Sequence, residues 1–243
     1  MPSTGSPLSR RLAHVVSLTD QDLERLEAVH QRRSAFAPGS ELYHQGQGDQ
    51  SVFVLATGWA CTCKHLADGR RQIIDFAVPG DIIGLTSAVL RAADHSAEPV
   101  TAIEASEVPA IDLRRAFEQA PRLAVAVLWA ASAAAAVAAE HVTRLGSRTA
   151  IERTAHLLLE LGVRLEMVDL ADADGYACPL SQYHLADALG LTAVHVNRVL
   201  RELRTGGLVT FRNGRVDIID RPGLVALAGF DPSYLDHAGP LLA

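Results

Sequence analysis

Cysteine is scarce in this sequence, and a secretion signal is missing. An odd number of cysteines cannot form a complete disulfide framework, and so few of them are typical of a reduced, cytoplasmic protein. The cysteines are Cys61, Cys63 and Cys178. The N-terminus lacks the apolar core of a signal peptide, so we expect a short disordered lead-in there. That lead-in contains Ser3, Ser6, Arg10 and Arg11.

A segment of transmembrane length is also missing. The longest apolar run, Leu123–Ala139, consists mostly of alanine. It falls short of the roughly 20 residues that are needed to cross a bilayer. We therefore predict a buried helix of a soluble protein, and no contact with a membrane.

Positive charge is in deficit overall but not everywhere. The formal net charge is -6, which argues against binding to nucleic acid if the charge is spread evenly. Between Ser181 and Arg221, however, six arginines outnumber four acidic residues, so this segment carries +2 and the rest of the chain -8. This segment is therefore the candidate for binding a polyanion.

Short apolar runs separated by glycines extend from Phe36 to about Leu113. Turn signals at intervals of about 10 residues are typical of an antiparallel sandwich or barrel. A strand is predicted from Ser51, and Asp68-Gly69 is predicted to join two further strands as a hairpin. The N-terminal half is therefore predicted to be rich in β-structure.

A long helix is predicted next, with Pro121 in its first turn and Gly146 at its end. Apolar residues recur at intervals of three and four, which places them on one face. Because small side chains let another helix approach closely, we predict a dimer interface; a helix buried inside its own domain is the alternative. The predicted interface consists of Leu123, Val127, Ala131, Ala134, Ala138 and Val142. A second amphipathic helix is predicted over about 149–165, followed by a solvated polar loop over 169–175.

Two short helices joined by a sharp turn form the strongest local signal. Ser181 and Thr192 can each accept a hydrogen bond from a free N–H group at a helix N-terminus, and Gly190 permits the positive φ of the turn. Small Ala186 lets the helices approach closely. The inner face of the second helix contains Val196, Val199, Leu200 and Leu203. This pattern predicts a helix-turn-helix.

The outer face of the second helix is the candidate base-reading surface. In helix-turn-helix proteins, the N-terminal residues of this helix lie against base edges in the major groove. Arg198 is the candidate reader of guanine, Asn197 of adenine or a phosphate, and Arg201 of a phosphate. The remaining predicted contacts are Ser181, Thr192, Ala193, Val194 and His195. The alternative is a structural helix pair with solvated polar residues.

A hairpin is predicted directly after these helices. Gly206-Gly207 ends the second helix, and the Asn213-Gly214 turn joins two strands. The predicted hairpin is a wing. Arg212 and Arg215 flank its tip, where they are predicted to contact phosphates.

From about Phe36 to Asp220 the sequence resembles the Crp/Fnr superfamily, which is named after the cyclic AMP receptor protein and the fumarate/nitrate reductase regulator. The resemblance rests on motifs in the same order in both halves. In the sensor half they are Pro38-Gly39, His44-Gln45-Gly46, Gly58, Asp68-Gly69 and Pro79–Gly84, and in the DNA-binding half Leu185–Thr192 and Val196–Leu203.

The resemblance implies an α+β chain with three parts. These are an N-terminal antiparallel β jelly-roll of the cyclic-nucleotide-binding type (1–117), a long dimerisation helix (118–145) and a C-terminal winged helix-turn-helix (146–243). The resemblance further implies a homodimeric regulator without enzymatic activity, which binds a palindromic double-stranded DNA operator and RNA polymerase. No cofactor is evident. The sensor is expected to bind an unknown small effector, or else the protein works without one and is controlled by its abundance.

Two departures from the family affect its ligands. Relatives that bind cyclic nucleotides use a Glu for the ribose and an Arg-Ser pair for the phosphate, where this chain has Leu85 and His95-Ser96. Since a neutral His replaces a charged Arg poorly, cyclic AMP is not the expected effector. The candidate effector residues are Gly84, Leu85, His95 and Ser96. The alternative for His95 and Ser96 is that they only cap a loop.

Val194 of the recognition helix replaces a Glu of many relatives, so an altered base preference is expected.

Metal chemistry finds little support in the sequence. The N-terminal cysteine cluster of iron-sulfur relatives is absent. Cys61 and Cys63 share one strand face but lack an obvious His partner, so we predict buried small side chains and no metal site. A cupin-type metalloenzyme is disfavoured because His44, His65 and His95 are isolated and no His-x-His occurs. A DNA-independent dimerisation scaffold is the third alternative.

Overall fold

The computed structural model of the chain describes residues 5–13, 18–48 and 51–235. Ser3 of the predicted lead-in lies outside these residues. The remainder of the lead-in is not disordered as predicted, because Pro7–Ala13 form a helix, α1. Leu8 and Leu12 are almost fully buried in an apolar cluster that holds this helix against the protein.

The N-terminal domain is an antiparallel sandwich, as the glycine spacing predicts. Helix α2 (Asp20–His30) precedes its strands, which are β1 (Arg33–Phe36), β2 (Ser51–Thr57), β3 (Ala60–His65), β4 (Arg71–Ala77), β5 (Ile82–Ile83), β6 (Ser96–Pro99) and β7 (Ile103–Pro109). One sheet has the strand order β1-β7-β2-β5 and the other β4-β3-β6. The predicted hairpin joins β3 to β4, with Gly69 at a φ of 82°.

Two helices, α3 (Ala110–Gln119) and α4 (Pro121–Ser147), connect the sandwich to the C-terminal region, which begins with α5 (Ala150–Glu166). Pro121 lies in the first turn of α4 as predicted, but the helix continues through Gly146 to Ser147. Only 22% of the most apolar 18-residue window of α4 is buried. By length and composition alone this helix could cross a membrane. The prediction of a buried helix is therefore wrong for the single chain.

The C-terminal region contains the predicted helix-turn-helix and wing. Its elements are β8 (Ala171–Asp172), β9 (Gly175–Ala177), α6 (Gln182–Leu189), α7 (Ala193–Thr205), β10 (Val209–Arg212), β11 (Arg215–Ile218) and α8 (Arg221–Ala228). Their strands form one sheet in the order β10-β11-β9-β8. The predicted polar loop over 169–175 is therefore wrong in part. Tyr176 explains the difference, because it is buried and its hydroxyl donates to the Leu158 carbonyl of α5 at 2.6 Å.

The sandwich and the helix-turn-helix share one apolar core. Trp59, Cys63 and Phe76 of the sensor sheet belong to the same buried cluster as Leu158 of α5 and Leu185 of α6. Burial of apolar surface contributes about 25 cal/mol per Å². The two regions are therefore packed on one another and not joined by a bare linker.

A buried guanidinium joins α5 to the sensor sheet. Arg164 is 3% exposed. It donates to Asp75 of β4 at 2.7 Å and to Asp81 at 2.8 Å, and Arg11 of α1 forms a second ion pair with Asp81. Burial opposes the charge of Arg164, but Asp75 and Asp81 outweigh it and raise its pKa well above the usual value. Burial likewise opposes the charge of Asp81, but Arg11 and then Arg164 lower the pKa of this carboxyl.

A second buried network joins α4 to α5 and α6. Arg144 donates to Glu160 of α5 at 3.3 Å and to His141 Nδ1 at 3.1 Å. His141 Nε2 in turn donates to the Ala188 carbonyl of α6 at 3.0 Å. Because Nδ1 accepts one of these hydrogen bonds and Nε2 donates the other, the His141 ring is neutral. Its pKa is lowered to about 4, mainly by burial and secondly by the charge of Arg144. The long helix is therefore tied to both helices that follow it.

Removing the Arg164 side chain tests the first of these networks. We expect Arg164→Ala to lower the free energy of unfolding by about 3 to 5 kcal/mol, because it removes a buried guanidinium, leaves Asp75 without this partner and leaves Asp81 with Arg11 alone. Urea unfolding measures this change. Arg114→Ala is the control: its pair with Glu118 is exposed, with an N to O distance of 3.9 Å, and should contribute about 0.5 kcal/mol. Equal effects of the two substitutions would contradict a stabilising role of Arg164.

Candidate DNA-binding interface

Side-chain caps begin both helices of the helix-turn-helix, as predicted. The Ser181 hydroxyl accepts from the backbone N–H of His184 at 3.2 Å, and the His184 ring accepts from the Ser181 N–H. The Thr192 hydroxyl accepts from the His195 N–H at 3.2 Å. Gly190 adopts a φ of 61° between the helices, in the left-handed region that glycine tolerates best. These local interactions fix the turn.

Helix α7 has a buried face and a free face. Val196, Val199 and Leu203 are buried against the domain. Val194 is 81% exposed. The other predicted contacts divide in two groups: Thr192, Asn197, Arg198 and Arg201 are exposed, and Ala193 and His195 are half-buried. The start of the helix therefore presents a surface that can enter a groove.

An amide pair positions Asn197, and the sequence analysis missed its partner. Gln182, the first residue of α6, donates from its side-chain nitrogen to the Asn197 side-chain oxygen at 2.8 Å, and Asn197 donates back to the Gln182 oxygen. Asn197 therefore braces α7 against α6 through its side-chain amide. The fifteen-residue separation of the pair gives no periodic signal that could have revealed it.

The wing has the predicted turn, and β9 pairs with β11 as an additional strand. Asn213 and Gly214 have φ values of 52° and 71°, the two positive values that a type I′ hairpin turn requires. Arg212 and Arg215 are exposed beside the tip. Arg215 donates to Asp217 at 2.7 Å, so a phosphate would compete with that carboxylate. The tip presents two guanidiniums to a polyanion.

The back of α6 is attached to the sensor sheet. Arg71 of β4 donates to Asp187 at 3.1 and 2.9 Å. Gln72 and His141 donate to the Ala188 carbonyl at 3.3 and 3.0 Å. The sensor therefore holds the rear of the helix-turn-helix while the outer face of α7 stays exposed.

The polar side chains among the four candidate effector residues, His95 and Ser96, already have partners within the chain. His95 Nε2 is 2.9 Å from the Tyr43 hydroxyl and Nδ1 is 2.8 Å from Asp94. The Ser96 hydroxyl accepts from the Gln45 N–H at 2.9 Å. His95 and Ser96 therefore both have partners within the chain, so an effector that used their polar groups would compete with these hydrogen bonds.

A cavity of about 330 Å³ lies between the sensor sheet and α4. Gly84, Leu85 and His95 contribute to its lining, but Ser96 does not. Its charged lining consists of Arg11, Asp75, Asp81, Asp94 and Arg164. Both arginines are already paired with carboxylates, so the cavity offers no unpaired guanidinium to the phosphate of a nucleotide.

The exposed face of α4 is rotated from the predicted dimer face. Leu123 is 6% exposed and packs inside its own chain against α1, so its assignment to the interface is wrong for the surface that the single chain presents. Of the other predicted members, Val127, Ala131 and Ala138 are half-buried, and Ala134 and Val142 are exposed. A stripe of exposed residues follows intervals of four and three, namely Leu128, Ser132, Ala135, Ala139 and Val142.

One cluster in the described part of the chain has metal-binding side chains at ligand spacing. It consists of Cys63, His65 and Glu98, whose donor atoms lie within 4.8 Å of one another. His65 lies beside Cys63 as a His partner that was not expected from the sequence. Glu98 was missed because it comes from another strand.

Cys178 is buried in the DNA-binding region, where burial raises the pKa of its thiol to about 12.

Two family profiles match the chain in the order that the fold requires. A profile described as a cyclic nucleotide-binding domain matches residues 33–120, and one described as a Crp-like helix-turn-helix domain matches residues 152–227. Together they cover the sandwich and most of the C-terminal region.

Characterised relatives match across most of their length. The chain is 30% identical over 213 residues to the nitrogen fixation regulation protein FixK of Bradyrhizobium diazoefficiens, which covers 87% of this chain and 88% of that protein. It is 28% identical over 214 residues to the transcriptional activator protein Anr of Pseudomonas aeruginosa, with 88% and 87% covered. The structure of FixK2 from Bradyrhizobium japonicum aligns with a TM-score of 0.74 and 30% identity, over 82% of this chain and 98% of that one.

A double-mutant cycle tests the brace between Gln182 and Asn197. If the two amides interact as described, Gln182→Ala and Asn197→Ala together should destabilise the protein less than the sum of the single changes, by about 0.5 to 1 kcal/mol. Urea unfolding of the four proteins measures this coupling. Tyr183, which is 74% exposed next to Gln182, supplies the control, since Tyr183→Ala should be additive with Asn197→Ala. Additivity in both cycles would show that the brace contributes nothing.

Proposed function

Because the chain belongs to the Crp/Fnr family of transcription regulators, and is itself a DNA-binding regulator of that type, we propose that it binds a palindromic operator as a homodimer and reads bases with Arg198. The observation that carries this proposal is the exposed outer face of α7. This helix is the second helix of the helix-turn-helix, whose rear is attached to the sensor. Two such helices related by a two-fold axis would reach half-sites about one helical turn apart, roughly 34–36 Å.

The contacts to DNA divide into base reading and positioning. Arg198 is exposed near the start of α7, where a guanidinium can bind a guanine bidentately. Val194 can contact a thymine methyl, and the half-buried Ala193 and His195 lie beside it. Arg201 on α7 and Arg212 and Arg215 on the wing contact phosphates, which orient the protein without reading sequence. Asn197 supports this surface through Gln182, while Ser181 and Thr192 shape the ends of the helices.

The exposed stripe on α4 is the proposed dimer interface. Leu128 and Val142 are 56% and 72% exposed, and the residues between them on the stripe are small, so a second copy of the helix can approach closely. Ala131, Ala134 and Ala138 flank the stripe and extend the contact. A cytoplasmic protein gains from covering this apolar surface with a partner chain.

The sensor is proposed to respond to a small molecule other than a cyclic nucleotide. The cavity beside α4 is lined by Asp75, Asp81 and Asp94 and by two guanidiniums, both of which are already paired with Asp75 or Asp81. A neutral or cationic effector suits this lining better than a phosphate does. Control by abundance without an effector is the second reading. Contact with RNA polymerase is proposed from the family alone.

Operator selection and two arginine substitutions test the proposed contacts. Genomic DNA fragments selected by the purified protein, with and without cell metabolites, should contain one palindromic motif. In binding measurements on that motif, Arg198→Ala should reduce discrimination at one base pair by about 1 to 3 kcal/mol. Arg215→Ala should instead weaken binding to all sequences alike and reduce the salt slope by about 1. Enrichment of no palindrome in either condition would overturn the proposal.

A charge on the α4 stripe tests the homodimer. Ala135→Glu places two carboxylates against each other across the proposed two-fold axis, and burying like charges is strongly unfavourable. Sedimentation equilibrium should show a dimer for the natural chain and mainly monomer for this variant. Arg114→Glu changes an exposed position on α3 and should leave the dimer intact. A dimer of unchanged affinity in Ala135→Glu would place the interface elsewhere.

A further inference from the structure

The cluster of Cys63, His65 and Glu98 lies at the junction between the sensor and the helix-turn-helix. Cys63 and His65 are two residues apart on β3, so their side chains share one face of the strand. Glu98 comes from β6, which pairs with β3 so that Glu98 stands opposite Cys61. Cys63 belongs to the core shared with α5 and α6. Sheet pairing therefore brings three different ligand types to one edge of the domain contact.

The spacing of the three donor atoms matches one face of a tetrahedral site. Cys63 Sγ is 3.6 Å from His65 Nε2 and 3.4 Å from Glu98 Oε1, and Nε2 is 2.9 Å from Oε1. Zinc bonds of about 2.3 Å to sulfur and about 2.0 to 2.2 Å to nitrogen and oxygen give tetrahedral edges of roughly 3.3 to 3.6 Å. Movements of a few tenths of an ångström would therefore bring all three donors to a single ion.

We propose that Cys63, His65 and Glu98 bind a divalent metal ion of the zinc class. Thiolate and imidazole ligands favour this class over magnesium or calcium, which prefer oxygen ligands alone. The thiolate and the carboxylate together neutralise the charge of the ion. The His65 side chain is half exposed, which gives the ion a path to the buried sulfur and leaves a fourth position for water.

Binding exchanges protons and transfers no electrons. The Cys63 thiol now donates to Glu98 Oε1. When the ion binds, this proton passes to solvent and the thiolate becomes a ligand. His65 Nε2 donates to Glu98 Oε1 in the free protein, so it must give up this proton to bind the ion. The proton is exchanged through solvent, the neutral ring then carries its proton on Nδ1, and Glu98 binds through Oε1.

The second oxygen of Glu98 connects the site to the helix-turn-helix. Arg71 donates to Glu98 Oε2 at 2.8 Å and also to Asp187 of α6. Hydrogen bonds of this kind orient metal-binding carboxylates. An ion on Oε1 withdraws negative charge from Glu98, so Arg71 then interacts more strongly with Asp187. This step rests on the proposed function: the ion stabilises α6 in its docked position, with α7 free for DNA, and so strengthens operator binding.

Cobalt titration tests the site itself, without DNA. Cobalt(II) added to the purified full-length chain should produce a thiolate-to-cobalt absorption band that saturates at one ion per chain and disappears when zinc is added. Cys63→Ser should abolish the band. His65→Ala, at a half-exposed position that does not endanger folding, should weaken binding by about tenfold or more. Cys178→Ser, which removes a buried cysteine elsewhere, should bind as the natural chain does. An absent band, or one that persists in Cys63→Ser, would overturn the site.

Operator binding with and without zinc tests the connection to α6. In fluorescence anisotropy with the selected operator, zinc should lower the Kd of the natural chain by about fivefold or more and leave that of His65→Ala unchanged. If the cobalt band forms but zinc leaves the operator Kd of the natural chain unchanged or raises it, the proposed connection between the metal site and α6 is overturned. Failure to bind DNA in either condition, with the band intact, would instead overturn the proposed operator binding.

Discussion

A buried guanidinium that is shared by two domains is the interaction on which the rest of this structure depends. Arg164 lies on the first helix of the DNA-binding region, while both of its partners, Asp75 and Asp81, belong to the sensor. An unpaired charge at this depth would cost several kcal/mol. The two carboxylates of the sensor therefore stabilise α5 in this place, together with the apolar residues that the helix contributes to the shared core. Arg11 of α1 binds one of them as well, so the N-terminal helix belongs to the same unit.

This arrangement gives the two faces of the helix-turn-helix different roles. Arg71 and His141 hold the rear of α6, and Arg144 ties α4 to α5, so that sensor, long helix and DNA-binding region meet around α6. The outer face of α7 and the wing tip take no part in these contacts. The cavity beside α4 has Asp75, Asp81 and Arg164 in its wall. A molecule in this cavity would contact the same charged side chains that position α5.

The parts that the sequence predicts well are those that local chemistry determines. Caps at Ser181 and Thr192, together with the Asn213-Gly214 turn, each act within a few residues, and the structure contains the helix-turn-helix and wing that they predict. Leu123 of the predicted dimer face is buried in its own chain. Alanine makes up most of residues 123–139 of α4, and small side chains on all sides of this stretch give the periodicity little to distinguish one face from another. Arg164 with Asp75, and Cys63 with Glu98, are 89 and 35 residues apart. Such pairs are created by the packing of strands and domains, which no single sequence displays.

The sensor and the DNA-binding region share a core and the ion pairs of Arg164, so we expect them to unfold as one cooperative unit. Scanning calorimetry of the full-length chain measures this, because domains that are merely linked unfold separately. We expect a single endotherm, in which the β-structure of the sensor and the helices of the DNA-binding region are lost together. Two resolved endotherms, with one region unfolding while the other stays native, would rule out a single cooperative unit.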